Sequence, residues 1–339
     1  MKSVLKKIMD GHSLSEIEAF NLLSHISEDN IHEAQVGAIL GALRTKGETS
    51  DEISGFAKYL KQKAVPFPYK LDKNEIIIDT CGTGGDDVGS FNISTAVAFV
   101  LVSGGVKVAK HGNRSVSSQC GCADVLEELK IPLNLKPEES AKYLKKKNFT
   151  FLFAPAYHPS FKKLVTLRKS IQVRTIFNLL GPLLNPANVK RQLVGVFNGA
   201  YVYKMAEALK KMGHIEAMVV NGHDGMDEFS ISGPTYVAHL KDNKINEFTF
   251  KPEDFGLERA SIENIKGGTK RENAILLEKI LSGKMNGAKK DIVSLNAGAA
   301  FYIAGKTDTL KNGVTLASSL MAQGKPYEIL NLLRMEREL

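Results

Sequence analysis

Residues 79–105 read DTCGTGGDDVGSFNISTAVAFVLVSGG. The β-rich run EIIID at 75–79 ends at this point, four glycines (Gly82, Gly84, Gly85, Gly89) follow within eight positions, and an apolar helix opens at about Asn92. One or two glycines suffice for a turn, so four of them between a strand and a helix point to a backbone that a ligand approaches closely. The N–H groups of such a loop, with the positive end of the following helix, form a seat for phosphate oxygens. Asn92, Ser94 and Thr95 add side-chain donors at the helix start. The loop is not a P-loop, because no Gly-Lys-Ser/Thr follows, and Asp87 stands where the third glycine of a dinucleotide fingerprint belongs. The bland alternative is a tight turn with a Ser/Thr cap.

Outward from this loop, VKVAK at 106–110, FTFLF at 149–153, QLVGVF at 192–197 and AMVVN at 217–221 are further short β-rich runs with helix-compatible segments between them. That alternation predicts a mostly parallel sheet covered on both faces. Upstream the texture differs. Ser13 with Glu16, Asn30 with Glu33 and Thr49 with Glu52 each have the spacing of a capping box, and apolar residues recur behind them at helical intervals. A small helical domain is expected there, closed by Pro66 and Pro68. After Gly256 the chain is largely helical again, in KRENAILLEKILSG and DIVSLNAGAAFYIAG.

Three more segments carry chemistry. KHGNRSVSSQCGCAD, 110–124, follows a strand and places Lys110, His111, Asn113, Arg114, Ser115, Ser117 and Ser118 within nine residues, a dense anion-binding inventory at a strand end. VVNGHDGMDEFSISG, 219–233, sets Asp224, Asp227 and Glu228 just after another predicted strand. Neighbouring carboxylates suit one or two hard cations, Mg²⁺ above all, since it takes a few carboxylates together with substrate phosphates; the alternative is a solvated acidic turn. The segment 153–186 holds His158, Arg168 and Arg174 among apolar residues, where an arginine can fork onto a carboxylate.

Composition narrows the class. The 339 residues are 43% hydrophobic and 24% charged, an ordinary globular composition that excludes disorder. No apolar run reaches the roughly 18 residues of a membrane span, and the N-terminus lacks the apolar stretch of a secretory signal, so a cytoplasmic protein is expected. Three cysteines, Cys81, Cys120 and Cys122, form no disulfide ladder, and Cys120 with Cys122 lacks the second pair that a closed zinc site needs. The net charge of +8 would serve nucleic acid or a phosphorylated metabolite equally well.

Five motifs in order now carry a resemblance: Gly82 to Asp86, Asn92-Ile93-Ser94-Thr95, Lys110-His111-Gly112-Asn113-Arg114, Arg174-Thr175-Ile176-Phe177-Asn178 and Asp224-Gly225-Met226-Asp227-Glu228. Nearly end to end, the chain resembles the anthranilate phosphoribosyltransferases. The resemblance implies a fold like that of the nucleoside phosphorylases: α/β, with a small helical N-terminal domain (1–66, joined by a helical segment near 165–185) and a larger α/β domain (74–339) with a mostly parallel sheet. It implies transfer of the phosphoribosyl group of phosphoribosyl pyrophosphate to anthranilate in tryptophan biosynthesis, two Mg²⁺ ions, a homodimer, and neither nucleic acid nor membrane as partner. Carried over by motif, the phosphoribosyl pyrophosphate site would comprise Gly82, Gly85, Asp86, Ser90, Asn92, Ile93, Ser94, Thr95, Lys110, His111, Gly112, Asn113, Arg114, Ser115, Val116, Ser117, Ser118 and Cys122. Anthranilate would meet Gly82, Asn113 and Arg168, and the metal would meet Ser94, Asp227 and Glu228, with no single acid or base.

Three positions depart from the family pattern: Asp87 replaces a usual Gly, Ser90 a common Thr, and Cys120-Gly121-Cys122 a usual Ser-Gly-Ser. A Cys122 thiol near Lys110 and Arg114 would favour its thiolate form; a small packing residue is the equal alternative. A pyrimidine nucleoside phosphorylase and a nucleic-acid-binding relative of the same fold are the rival readings.

Overall fold

The computed structural model describes residues 2–28, 31–72, 75–115, 120–160 and 171–335. Four helices come first, α1 (Lys2–Met9), α2 (Glu16–Ser27), α3 (Glu33–Lys46) and α4 (Ser50–Gln62). The start of α2 differs from the expected Ser13–Glu16 pairing. Ser15 is the cap and Glu18 closes the box, because Glu16 faces α4, where its carboxylate accepts from Ser54 Oγ (2.8 Å) and Lys58 Nζ (2.6 Å). The Thr49–Glu52 box forms as the spacing predicts. Glu52 does more than cap: its buried carboxylate also accepts from Leu14 N–H and Lys46 Nζ, both at 2.9 Å, and so ties three segments of the bundle together. Asn30 lies outside the described residues.

Among the described residues the sheet has seven strands in the order β3-β2-β1-β4-β5-β6-β7. β1 (Ile77–Gly82), β2 (Lys107–Gly112), β3 (Phe149–Phe153), β4 (Arg191–Gly195) and β5 (Glu216–Gly222) run parallel. β6 (Thr235–Lys241) and β7 (Lys244–Phe250) are antiparallel additions that the pattern of apolar runs did not reveal. Their turn, Asp242-Asn243, takes positive φ at both residues, as a tight hairpin requires. The strand order reverses between β1 and β4, where the chain stops adding strands on one side and begins on the other. In open α/β sheets the crevice for a ligand lies outside the carboxyl ends of the strands at that point.

Helix α5 (Ile93–Ser103) is buried along nearly its whole length, from Ile93 to Val102, between the sheet and the C-terminal helices. A second core joins α2, α3 and α4 to Ile176, Phe177, Leu180, Leu183 and Leu184, and through the helix Val202–Lys211 to Val194, Val219 and Leu240 of the sheet. The helical lobe is therefore seated on the β4–β6 half of the sheet, beside the reversal.

The α2–α4 contact depends on Gly55. A Cβ there would lie 2.4 Å from the Glu16 carbonyl oxygen and 2.8 Å from Ala19 Cβ. Gly55→Ala forces two backbones apart and should destabilise the protein by about 1–3 kcal/mol, even though alanine is the better helix former. Urea unfolding of the two proteins checks this, and an unchanged or raised midpoint would contradict the close approach.

Candidate active site

β1 and β4 end side by side in glycine, with Gly82 opposite Gly195. Asp227 fills the notch that these glycines leave. A Cβ on Gly82 would fall 2.1 Å from Asp227 Oδ2, and one on Gly195 would fall 1.5 Å from the Asp227 carbonyl oxygen. The loop after β1 closes over the same carboxylate, since Gly84 N–H donates to Asp227 Oδ2 at 2.7 Å. Gly84, Gly85, Asp87 and Gly89 all take positive φ, between 59° and 72°, the kind of left-handed turn whose backbone N–H groups can form an anion-binding concavity. Further along, Phe91 N–H to Ile265 O (3.2 Å), Gly267 N–H to Gly89 O (2.9 Å) and a bridge between Ser90 and Lys266 pin the end of the loop.

Three carboxylates gather there. Burial raises the pKa of Asp227, and Asp86 beside it raises it further. Burial likewise raises Asp86, whose Oδ1 accepts from Val88 N–H while the buried Oδ2 finds no close donor among the described residues. Glu228 is pushed well above the carboxylate range by burial and then by Asp227, with Lys110 and the Ser94 N–H pulling the other way. Lys110 is itself buried, its Nζ donating to Thr80 O at 2.6 Å and Ser94 Oγ at 3.1 Å. Beneath them Asp79, fully buried, accepts from Asn185 Nδ2 (2.8 Å), His111 N–H (3.3 Å) and Gln192 Nε2 (3.4 Å). Burial raises its pKa to about 6 against the pull of Lys110 and Asn185.

These residues fit a divalent cation. Adjacent half-buried carboxylates with raised pKa values are an excess of negative charge that a cation would offset, and the Asp86 Oδ2 is an available donor atom. Among the described residues no three His, Cys, Asp or Glu side chains form a ready cage. That pattern suits Mg²⁺, which keeps waters and takes one or two carboxylates with substrate oxygens.

The remaining sequence-predicted residues divide. Ser94 and Thr95 lie in the first turn of α5 with Ile93; Thr95 is buried, and its hydroxyl has no partner among the described residues. Asn92 bridges two neighbours, Nδ2 donating to Cys120 O and Oδ1 accepting from Asn273 Nδ2, both at 3.1 Å. His111 is buried, with its ring edge-on against His158 at 5.3 Å, and burial drops its pKa to about 3. Asn113 and Arg114 are exposed, but Arg114 is engaged by Asp124 (3.0 Å) and Glu127 (2.9 Å) of α6 (Cys122–Glu128). Ser115 N–H donates to Asp124 Oδ2 at 3.1 Å. Asp224 stands apart from Asp227 and Glu228, because Ser230, Ser232 and Met226 N–H occupy its carboxylate. Val116, Ser117, Ser118 and Arg168 lie outside the described residues.

The expectation of a Cys122 thiolate is corrected. Cys122 Sγ lies where a Cβ of Gly112 would, at 2.3 Å, and donates to Asn113 O at 3.2 Å. Burial raises its pKa, an effect larger than the opposing pull of Lys110, so the thiol stays protonated. Arg114 is spent on α6.

A helical bundle beside an α/β lobe, with a glycine loop and acidic residues at the strand reversal, defines a class. Residues 2–64 match the model of the glycosyl transferase family helical bundle domain, and residues 74–327 match that of the glycosyl transferase family a/b domain. Within that class the chain belongs to the anthranilate phosphoribosyltransferase family. It is similar to the enzyme of that name from Persephonella marina, 47% identical over 98% of each chain, and to that from Halalkalibacterium halodurans, 44% identical over 99% of this chain and 98% of the other. The crystal structure of the Thermus thermophilus enzyme superposes with a TM-score of 0.90 at 38% identity, covering 98% of both chains. The Saccharomyces cerevisiae enzyme, solved in complex with PRPP and Mg, has a TM-score of 0.85 at 28% identity over 97% and 95% of the two chains.

Carboxyls whose folded pKa is raised contribute stability at low pH that is lost as pH rises through the folded value. In metal-free buffer at pH 8, above its value of about 7, Asp227 is charged beside Asp86, so Asp227→Asn should raise the melting temperature, by roughly 1–2 °C per kcal/mol relieved. At pH 5 the gain should shrink toward nothing. Thermal melts in EDTA at both pH values check this, and a fall at pH 8 would contradict the strained cluster.

Proposed function

We propose that the charge arrangement at the β1–β4 reversal is the chemical centre of a phosphoribosyl transfer. The chain transfers the phosphoribosyl group of 5-phosphoribosyl 1-pyrophosphate to anthranilate, giving N-(5-phosphoribosyl)anthranilate and pyrophosphate, in tryptophan biosynthesis. The observation that carries the reading is the seating of Asp227 on Gly82 and Gly195, which brings an acidic cluster, Lys110 and the glycine loop to one strand-end crevice.

Departure of pyrophosphate leaves positive charge on the sugar and negative charge on the leaving oxygens. In this reading the N–H groups around Gly82, Gly85 and Asp86 cradle the pyrophosphate. Ser90, Asn92, Ile93 and Thr95 carry the cradle to the start of α5, and Lys110 supplies permanent positive charge held in place by Thr80 and Ser94. His111, Gly112, Asn113, Arg114, Ser115, Val116, Ser117, Ser118 and Cys122 complete the phosphoribosyl side, Cys122 as a neutral thiol. Gly82, Asn113 and Arg168 face anthranilate. The aryl amine of anthranilate is already neutral at pH 7, so positioning and charge stabilisation are the main effects, and no single proton-transfer residue is needed.

Ser94, Asp227 and Glu228 would hold Mg²⁺, with two ions in the full complement. When bound, the metal stabilises the developing charge of the leaving group. Support comes from the raised pKa values of the carboxylates and from the Mg-bound yeast relative. That relative has also been solved with 4-fluoroanthranilate, in keeping with an aryl-amine acceptor. The division into a helical domain (1–66, joined by 165–185) and an α/β domain (74–339), a homodimer and a cytoplasmic location belong to the same reading. Among the described residues no helix is long and apolar enough to cross a membrane.

The decisive assay mixes the pure protein with phosphoribosyl pyrophosphate, Mg²⁺ and anthranilate and follows the loss of anthranilate fluorescence. Phosphorolysis of thymidine instead would assign the chain to the pyrimidine nucleoside phosphorylases. Turnover should vanish in excess EDTA, and Glu228→Gln should lower it by roughly 100-fold or more if an ion opposite the leaving group is lost. A near-wild-type rate would remove Glu228 from the metal site.

Arg168→Ala should raise KM for anthranilate and leave that for phosphoribosyl pyrophosphate nearly unchanged, since the guanidinium pairs with the aryl carboxylate. Equal weakening of both substrates, measured by steady-state kinetics, would overturn that assignment.

A further inference from the structure

We propose that Arg174 is a positioning residue for the phosphate loop and acts through Asp87. The inference rests on the reading of that loop as the pyrophosphate seat. Asp87 is the one residue of the loop's left-handed positions that is not glycine, at φ 59° beside Gly84, Gly85 and Gly89. It therefore costs conformational energy that glycine would not, and it puts a carboxylate beside a seat for a polyanion. Both costs need an offset.

Arg174 supplies it. Its Nη2 pairs with Asp87 Oδ2, and its guanidinium carbon lies 4.9 Å from the centre of the Phe197 ring. The same guanidinium passes over Gly85, with Nε 3.7 Å from where a Cβ would stand. An exposed ion pair alone holds little, because both long side chains remain free; here the ring fixes one of them.

Phe197 is in turn fastened to the root of the loop. Its N–H donates to Thr83 Oγ1 at 3.1 Å, and Thr83 N–H donates to Gly195 O at 2.9 Å. On its far side Phe197 meets the Tyr201 ring at 5.7 Å, and the Tyr201 hydroxyl donates to the buried Glu48 at 2.6 Å. The glycine loop is thus held at Thr83 and again at Asp87, and both holds converge on Phe197, which is braced on the turn between α3 and α4. In this arrangement Arg174 neutralises Asp87 and keeps the loop N–H groups aimed into the cleft, without itself touching the phosphates.

A double-mutant cycle separates this from a direct ligand. Asparagine tolerates left-handed φ, so Asp87→Asn removes the charge and spares the backbone. Steady-state kinetics would compare wild type, Arg174→Ala, Asp87→Asn and the double variant. Arg174→Ala should raise KM for phosphoribosyl pyrophosphate about five- to tenfold and leave kcat within about twofold, as expected for contacting residues that couple. In the Asp87→Asn background the same change should shift KM by less than about twofold, and Arg174→Lys in the native background should recover part of the loss.

Equal effects of Arg174→Ala in both backgrounds would overturn the proposal in favour of a phosphate ligand or a folding role, and so would no effect in the native background. Calorimetric binding of inorganic pyrophosphate with Mg²⁺ to the same four proteins provides a readout that does not depend on transfer. If wild type fails to turn over anthranilate while pyrophosphate binding still shows the coupling, the functional reading falls and this inference stands.

Discussion

The approach of Asp227 to the ends of β1 and β4 is the constraint on which the rest of the site depends. A carboxylate and a carbonyl sit where two side chains would otherwise be, and only the paired glycines Gly82 and Gly195 admit them. Once Asp227 is there, Gly84 folds over it, Asp86 is drawn alongside and Glu228 follows beside Lys110. The parallel register of β1 with β4 thus sets the chemistry as much as the acidic residues do, because a slip by one residue would replace glycine with Cys81 or Val194 at the notch.

The arrangement is electrostatically expensive. Asp79, Asp86, Asp227 and Glu228 are all raised by burial, and Lys110 is the permanent cation that offsets Asp79 and Glu228. Such a cluster is tolerated where a ligand will complete it, and it explains why the stabilising contacts are placed elsewhere. Glu52 is the contrasting case: a fully buried carboxylate with three donors, Lys46 Nζ and the N–H groups of Leu14 and Thr49, serving the bundle alone.

Much of the fold was legible because its signals are local. The strand runs at β1 to β5, the glycine loop and the Thr49–Glu52 cap are each specified within a few residues, and the structure contains them. The hairpin β6–β7 escaped because YVAHLKDNKINEFTF lacks a continuous apolar run; β7 is an edge strand exposed along most of its length, and the Asp242-Asn243 turn was its strongest mark. The cap at Ser15 was misplaced by two residues because Ser13 and Ser15 offer the same spacing to a glutamate, and only the packing of Glu16 against α4 decides between them.

The sequence by itself determined the inventory of the site: which loops carry glycine, hydroxyls, carboxylates and lysine, and that they follow strands. Those are properties of short segments, set by backbone freedom and donor chemistry. Only the tertiary structure decided which members act together. Asp224, near neighbour of Asp227 in sequence, is consumed by Ser230 and Ser232, whereas Asp86, far away in the chain, stands against Asp227. Gly195, Asp79 and Phe197 carried no motif, and Cys122 looked reactive beside lysine and arginine until burial and the Arg114–Glu127 pair reversed the expectation. The physical reason is the same in each case: pKa, pairing and close approach depend on distance in space and on exclusion of water, and a single chain's order specifies neither until the sheet has closed.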